Sequence, residues 1–337
     1  MQTLITGGAG FIGSSLADRL LSQAGEVAIL DNFNDYYNPS LKEKNVAHNV
    51  SNPNYKLYRA DICDAEALER VFVQNNFDVI VHIAASAGVR ASIQNPQLFV
   101  QANIAGTVNI LGMMKKYNIK KMVFASSSSV YGNCEAKKFS EDLCVSQPIS
   151  PYAATKLSCE QLLYTYSRLY DIQALCMRFF TVYGPRQRPD LAIRKFIELI
   201  ENDKPIQMYG DGSTIRDYTF IDDIVDGVTA AIDYEQTQYE IINLGGGSPI
   251  KLLEMIASIE KILGKKAKIE TLPMQQGDVD KTAADISKAA MLLNYQPKVD
   301  FESGIRQFVE WRAAIGKRHE LDGQRTIKPI EKRLKAA

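Results

Sequence analysis

The sequence lacks a long hydrophobic run, an excess of charge of either sign, a cluster of histidines and an even set of cysteines. Its apolar runs, such as 77–85, fall well short of the roughly 20 residues that cross a bilayer, and none near the N-terminus follows a basic segment. Neither a membrane span nor a secretory leader is therefore expected. With 39 Lys+Arg against 39 Asp+Glu, no broad field attracts nucleic acid or an anionic membrane. The five cysteines, Cys63, Cys134, Cys144, Cys159 and Cys176, form no C-x-x-C pair and lie in apolar or helical patterns, as free thiols of a reducing cytoplasm do. His48, His82 and His319 are too far apart to read as a metal site, and no metal is expected.

What is present is ample apolar material, 46% of 337 residues with 23% charged, enough for one large α/β domain with a smaller lobe or for two domains. Short β-branched runs alternate with amphipathic stretches of helical period, the pattern of a parallel sheet covered by helices. The spacing predicts strands at 2–6, 26–30, 56–60, 79–84, 122–126 and 173–179, and helices at 11–22, 65–74, 96–117 and 150–169. The result is a doubly wound (Rossmann) α/β fold. Beyond Arg178 the alternation stops, and irregular polar sequence there marks a mixed α/β substrate lobe. The expected division is 1–180 with part of 217–244 returning, a lobe of 181–216 and 245–315, and a tail from 316 to 337 that is either solvated or a peripheral helix.

Gly7, Gly10 and Gly13 follow the first strand as G-x-x-G-x-x-G and open a helix at Phe11 and Ile12, whose free first-turn N–H groups suit a pyrophosphate. Asp31, about twenty residues on at the end of the second strand, can accept hydrogen bonds from both hydroxyls of an adenosine ribose. Its charge repels a 2′-phosphate, and the next residues, Asn32-Phe33-Asn34, bring no arginine, so NAD is favoured over NADP. Asp61 and Ile62 after the third strand are placed near the adenine, and the small Ala84 and Ala85 after the fourth beneath the cofactor. Tyr152 and Lys156 stand one helical turn apart on one face. A phenol titrates near 10, and a nearby ammonium with a positive nicotinamide favours the phenolate that a general base requires. Ser127, at the end of the fifth strand, offers a hydroxyl to the same substrate oxygen.

These elements, in this order, resemble the extended short-chain dehydrogenase/reductase family and within it the nucleotide-sugar 4-epimerases, over about residues 1–315. The run from Asp31 to Lys42, Ala87-Gly88-Val89-Arg90, the serines 126–129 and the run from Arg178 to Pro185 are most similar to UDP-glucuronate 4-epimerases. The resemblance implies Ser127, Tyr152 and Lys156 as catalytic residues, and Arg90, Ser128, Ser129, Thr181, Arg188, Arg216 and Asp278 as substrate contacts. Arg216 would hold the diphosphate, or else pair with Asp217 or Asp223; Asp278 would meet the uridine ribose. Gln275 stands where galactose-type members carry an arginine. Dehydratases and decarboxylases of the family place a carboxylate just before the V-Y-G tyrosine, and Ser128 and Ser129 stand there instead. That leaves 4-epimerisation of a UDP-sugar, UDP-glucuronate first, with UDP-glucose or UDP-N-acetylglucosamine as alternatives and a decarboxylase or a non-catalytic NAD-binding protein behind them. Thr181 and Ser128 are expected to bind the C6 carboxylate, and Arg188, more than Arg186, to supply positive field; both arginines could instead face solvent or meet Asp190. The resemblance also implies a homodimer through the helices at 96–117 and 150–169, whose Leu98, Ile104, Val108, Leu111, Leu162, Leu163 and Tyr166 spread over more than one face; both faces could instead be buried within one subunit.

Overall fold

A computed structural model describes residues 1–325 except 275, 276 and 278, with side chains described through 314. Strands β1 (Gln2–Thr6), β2 (Glu26–Asp31), β3 (Tyr55–Arg59), β4 (Val79–His82), β5 (Lys121–Ser127) and β6 (Gln173–Phe179) are followed by β7 (Thr181–Tyr183), β8 (Ile206–Tyr209), β9 (Ile215–Phe220), β10 (Tyr239–Leu244), β11 (Pro249–Lys251) and β12 (Ile269–Leu272). The main sheet has the order β3-β2-β1-β4-β5-β6-β10, all parallel. The order reverses between β1 and β4, and ligands of such sheets bind at the strand ends over that switch point. Smaller sheets, β11-β9-β7 and β12-β8, carry the segment after β6.

Parallel strands buried on both faces need apolar residues at successive positions, not alternate ones. Ile5, Ile29, Val81, Val123 and Met177 point to one core, while Leu4, Ala28, Leu30, Ile80, Met122 and Phe124 point to the other. Helices α1 (Phe11–Ser22), α2 (Pro39–Val46), α3 (Ala65–Val73), α4 (Val89–Gln94), α5 (Pro96–Phe99), α6 (Gly106–Lys116) and α7 (Pro151–Tyr170) belong to the first half. They are followed by α8 (Ala192–Glu201), α9 (Ile221–Asp233), α10 (Leu252–Leu263), α11 (Ser287–Leu293) and α12 (Phe301–Arg325). Among the described residues no helix is long and apolar enough to cross a membrane.

Two features differ from the sequence reading. The single helix expected over 96–117 is α5, a π-helical turn at Val100–Ala105 and then α6. Such a turn carries one extra residue per turn and recurs at functional sites; here it turns Asn103 inward, at 2% exposure. β4 stops at His82, two residues short of the strand expected over 79–84, whereas α12 continues to Arg325, the peripheral helix that the tail reading allowed. Within the two helices proposed for dimerisation, Leu111 and Leu163 are fully buried in the subunit's own core and so cannot face a partner, whereas Leu98 and Val108 are exposed.

Candidate active site

The carboxyl ends of β1, β2 and β4 form a cradle suited to a dinucleotide. Gly7 has φ +71°, and a Cβ there would lie 2.8 Å from the Ala84 nitrogen; at Gly13 it would lie 2.3 Å from the Gly7 carbonyl oxygen. Only glycine lets this turn pack on β4 and on itself. A Cβ on Gly10 would meet the Gly7 carbonyl alone, at 3.2 Å, so open space lies over the start of α1, whose N-cap makes no side-chain hydrogen bond. Phe11, 7% exposed, seats that first turn in the core, with Ile12 packed beside it. Asp31 is buried, its Oδ2 accepting from the Ala9 N–H at 3.1 Å and its Oδ1 from the Phe33 N–H at 2.9 Å. Asn32 Nδ2 donates to Asp61 Oδ2 at 2.7 Å, joining the ends of β2 and β3, and the buried Ile62 packs under Gly106. Ala84 and Ala85 follow β4 as a half-buried loop.

The sequence reading considered only Asn32-Phe33-Asn34 beside Asp31 and found no arginine there. Lys42, 5% exposed, in fact brings its Nζ to 3.7 Å from Asp31 Oδ1 and donates to Asn34 Oδ1 at 2.9 Å. Ten residues of loop and helix separate the two in sequence, and no local pattern announces the contact.

Ser150 caps α7, its hydroxyl accepting from the Ala153 N–H at 3.2 Å, and Pro151 fills the first helical position. Tyr152 is thereby set in the first turn, where the helix dipole favours a phenolate. Ser127 ends β5 with its Oγ accepting from the Ser129 N–H at 3.2 Å, which leaves the hydroxyl proton to donate, and Ser127 is hydrogen-bonded with Tyr152. Burial raises the Tyr152 phenol above its ordinary 10.0, while the Ser127 hydrogen bond and the Arg188 charge pull it down. Lys156, 3% exposed, donates to the Ala125 carbonyl at 2.7 Å, and burial brings its ammonium down to about 8. Ser127, Tyr152 and Lys156 thus gather at the carboxyl end of β5, with the Arg188 guanidinium also acting on the phenol.

Behind them runs a buried polar layer. Glu160, one turn beyond Lys156 on α7, pairs with Arg178 of β6 through Nε at 2.9 Å and Nη2 at 2.8 Å, and accepts from Ser126 Oγ at 2.5 Å. Arg178 also lies over the Tyr131 ring, whose hydroxyl donates to Asn243 Oδ1 on β10.

Ser128 and Ser129 form the turn directly after Ser127, and Thr181 opens β7 beside Tyr218 of β9. Arg188 is held by Asp190 through Nε at 3.0 Å and Nη2 at 2.8 Å, and it lies over the Tyr36 ring. Arg186 turns away, with φ +68° and Nη2 on Asp18 of α1 at 2.6 Å. Arg90 of α4 stacks on Tyr209 of β8 at 4.7 Å, which ties the main sheet's side to the smaller sheets. Arg216 donates to the Ile215 carbonyl at 2.9 Å. Asp217 is occupied by the Gly246 and Ala284 N–H groups, and Asp223 by those of Lys298 and Val299. Asp278 and Gln275 lie outside the described residues.

A family model described as GDP-mannose 4,6 dehydratase matches residues 4–308. The chain belongs to this family. Its relatives include a UDP-glucuronate 4-epimerase of Thermodesulfobacterium geofontis, 45% identical over 309 residues, 91% of this chain and 95% of that one. The crystal structure of UDP-glucuronic acid 4-epimerase from Bacillus cereus, in complex with UDP-glucuronic acid and NAD, is 38% identical with a TM-score of 0.87 and covers 94% of this chain and 100% of that one. That of UDP-glucose 4-epimerase from Thermus thermophilus, in complex with NAD, is 31% identical with a TM-score of 0.85, covering 93% and 100%. Within the dehydratase-named family this chain is similar to epimerases, in keeping with Ser128 and Ser129 at the turn after Ser127.

Several residues of this family member escaped the sequence reading. Asn103 on the π-helical turn holds the Ser86 backbone from both sides, accepting its N–H at 2.8 Å and donating to its carbonyl at 3.0 Å, and also donates to Thr155 of α7 at 2.9 Å. Asp190 and Tyr36 flank Arg188 from separate loops. Asp190 alone was anticipated, as the partner that the sequence reading allowed for Arg188; Asn103 and Tyr36 were not.

Proposed function

We propose that the chain is an NAD-dependent 4-epimerase of UDP-sugars, acting on UDP-glucuronate and forming UDP-galacturonate. The observation that carries this is the meeting of Ser127, Tyr152 and Lys156 at the end of β5, followed by hydroxyls where a dehydratase or decarboxylase needs a carboxylate. Gly7, Gly10, Phe11, Ile12 and Gly13 would hold the pyrophosphate of NAD, Asp31 and Asn32 its adenosine ribose, Asp61 and Ile62 its adenine. Ala84, Ala85, Tyr152 and Lys156 would flank its nicotinamide half. The open space over α1, the paired glycine contacts and the buried Asp31 carboxylate fit that group. When bound, NAD would supply the hydride acceptor and donor for sugar C4 and a positive ring beside the phenol.

Tyr152 takes the proton of the C4 hydroxyl as the hydride leaves, while Ser127 donates to the same oxygen and steadies its charge. After the 4-keto sugar turns its other face, Tyr152 returns the proton, so that cofactor and base end as they began. Ser128, Ser129 and Thr181 bind the C6 carboxylate through hydroxyls, with Arg188 adding positive field that Asp190 partly offsets. A 4-keto uronate is a β-keto acid, and it loses CO2 when the carboxylate bond aligns with the carbonyl π system. Short, fixed donors keep it out of that alignment. Arg90 of α4 adds a substrate contact from the cofactor side, while Arg216 and Asp278 serve the nucleotide end, on a lobe made of 181–216 and 245–315.

The direct test is proton NMR of the products after incubation with UDP-glucuronate and no added cofactor. Appearance of the C4 epimer is expected, because NAD stays bound through the cycle. Faster turnover of UDP-glucose would move the assignment to the neutral-sugar epimerases, and dependence on added NAD would point to a dehydrogenase.

A further inference from the structure

His82 ends β4, fully buried, and takes no part in the chemistry above. Its ring sits between two threonines, Nδ1 at 2.6 Å from Thr6 Oγ1 and Nε2 at 3.0 Å from Thr107 Oγ1. Proton counting fixes both bonds. A hydroxyl has one hydrogen, and that of Thr107 goes to the Asn103 carbonyl, which can only accept. Thr107 must therefore accept from His82, and Nε2 carries the hydrogen. Burial, reinforced by the Lys156 charge on α7, pushes the imidazole down to about 3, so the ring is neutral and Nδ1 is bare. Thr6 consequently donates to Nδ1, while its oxygen accepts the Ala84 N–H at 3.2 Å. The chain has one direction: Ala84 to Thr6, Thr6 to His82, His82 to Thr107, Thr107 to Asn103.

It does not stop there. The same Asn103 carbonyl accepts from Cys159 Sγ at 3.2 Å, and the Asn103 side chain holds the Ser86 backbone and Thr155 Oγ1. Thr155 donates to the carbonyl of Tyr152 itself, at 2.8 Å. Phe124 of β5 packs on the imidazole with ring centroids 5.8 Å apart. The end of β4, the π-helical turn and the first turn of α7 are thus joined through one imidazole.

We propose that His82, held as the neutral Nε2–H tautomer, is a positioning residue for hydride transfer, fixing the loop 84–86 after β4 and the Asn103 turn against the first turn of α7. What it positions rests on the epimerase reading: that loop and α7 carry the cofactor side and the base, and a loose joint between them lets their separation drift. A neutral ring is also required by its neighbour, because a second cation there would work against the Lys156 ammonium.

The tautomer is tested on the unaltered protein, with ring-15N histidine as the label and His82→Gln to assign the signal. Two widely separated ring-nitrogen resonances, with the hydrogen on Nε2, are expected to hold unchanged across the pH range in which an ordinary histidine titrates. An Nδ1–H tautomer, or titration in that range, overturns the proposal, whatever sugar the enzyme uses. The positioning role is tested by Thr107→Val, which keeps shape and removes the link. Losing one buried hydrogen bond should lower kcat about tenfold with KM changed less than about twofold, and Thr107→Ser should restore most of it. Parent kcat in Thr107→Val, or a loss confined to KM, refutes that role. If the parent enzyme fails to epimerise UDP-glucuronate, the functional reading falls, and the nitrogen spectrum still decides the tautomer.

Discussion

The Glu160–Arg178 pair sits behind the catalytic groups at 2% and 1% side-chain exposure, and its removal should be felt as stability before it is felt as chemistry. Glu160→Gln keeps the volume and deletes one charge. The guanidinium then has an amide in place of a carboxylate that it met through Nε at 2.9 Å and Nη2 at 2.8 Å, and Ser126 loses a charged acceptor at 2.5 Å. Both side chains are buried, so the cost is that of an uncompensated buried cation, about 3–5 kcal/mol. At roughly 2–4 °C per kcal/mol for a chain of this class, the melting temperature should fall by roughly 10 °C. Urea unfolding followed by circular dichroism, with thermal scans alongside, measures both. Glu160→Leu combined with Arg178→Met removes both charges and should recover most of the loss, because the net worth of a buried pair against apolar residues is small. A Glu160→Gln enzyme within about 1 kcal/mol of the parent would show that the pair is not desolvated as the packing requires, and the reasoning would fail.

Tyr152→Phe should retain fold and bound NAD while losing about 10²–10⁴-fold in turnover, as loss of a general acid/base does; near-parent rates in the NMR assay would reject Tyr152 as the base. Thr181→Ala should lower kcat/KM for UDP-glucuronate by roughly ten- to two-hundred-fold, the worth of one charge-assisted hydrogen bond, and release CO2 with a 4-keto-pentose; unchanged rates without CO2 would remove Thr181 from the carboxylate site. Burial sets the Lys156 ammonium at about 8 against its ordinary 10.5, so kcat/KM should fall as pH rises through about 8. Between about 8 and 10.5 the folded protein binds fewer protons than the unfolded chain, so stability should rise with pH there; a kcat/KM profile flat to pH 10 would refute the shifted value. Leu98, Val100, Val108, Tyr164 and Leu169 are exposed on the α5–α6 and α7 side, and light scattering should give twice the chain mass at micromolar concentration, a monomer refuting the expected dimer.

The alternation of strands and helices was legible because fully buried parallel strands write themselves as continuous apolar runs, and glycines 7, 10 and 13 with Asp31 were legible because their spacing follows from backbone geometry. The Tyr152 and Lys156 face followed from helical period alone. The π-helical turn was not visible, since one extra residue leaves apolar content unchanged and only shifts phase at Asn103. The contacts of Asp31 with Lys42, and of His82 with Thr6 and Thr107, join segments whose approach is set by the whole sheet. Arg188 was favoured over Arg186 in the sequence reading, but the cause was not legible: a left-handed backbone at Arg186 sends one to α1 and leaves the other by Tyr36.

The strand order has a consequence for how the chain is made. β6 leaves the ribosome well before β10, with β7, β8, β9, α8 and α9 synthesised between them. Until β10 emerges, β6 is an open apolar edge whose parallel neighbour does not yet exist, the kind of edge that recruits strands from other nascent chains. Parallel pairing at that sequence separation is also slow to close. Release of the chain between β6 and β10 should therefore yield aggregate, and chaperone demand should concentrate in that interval of synthesis.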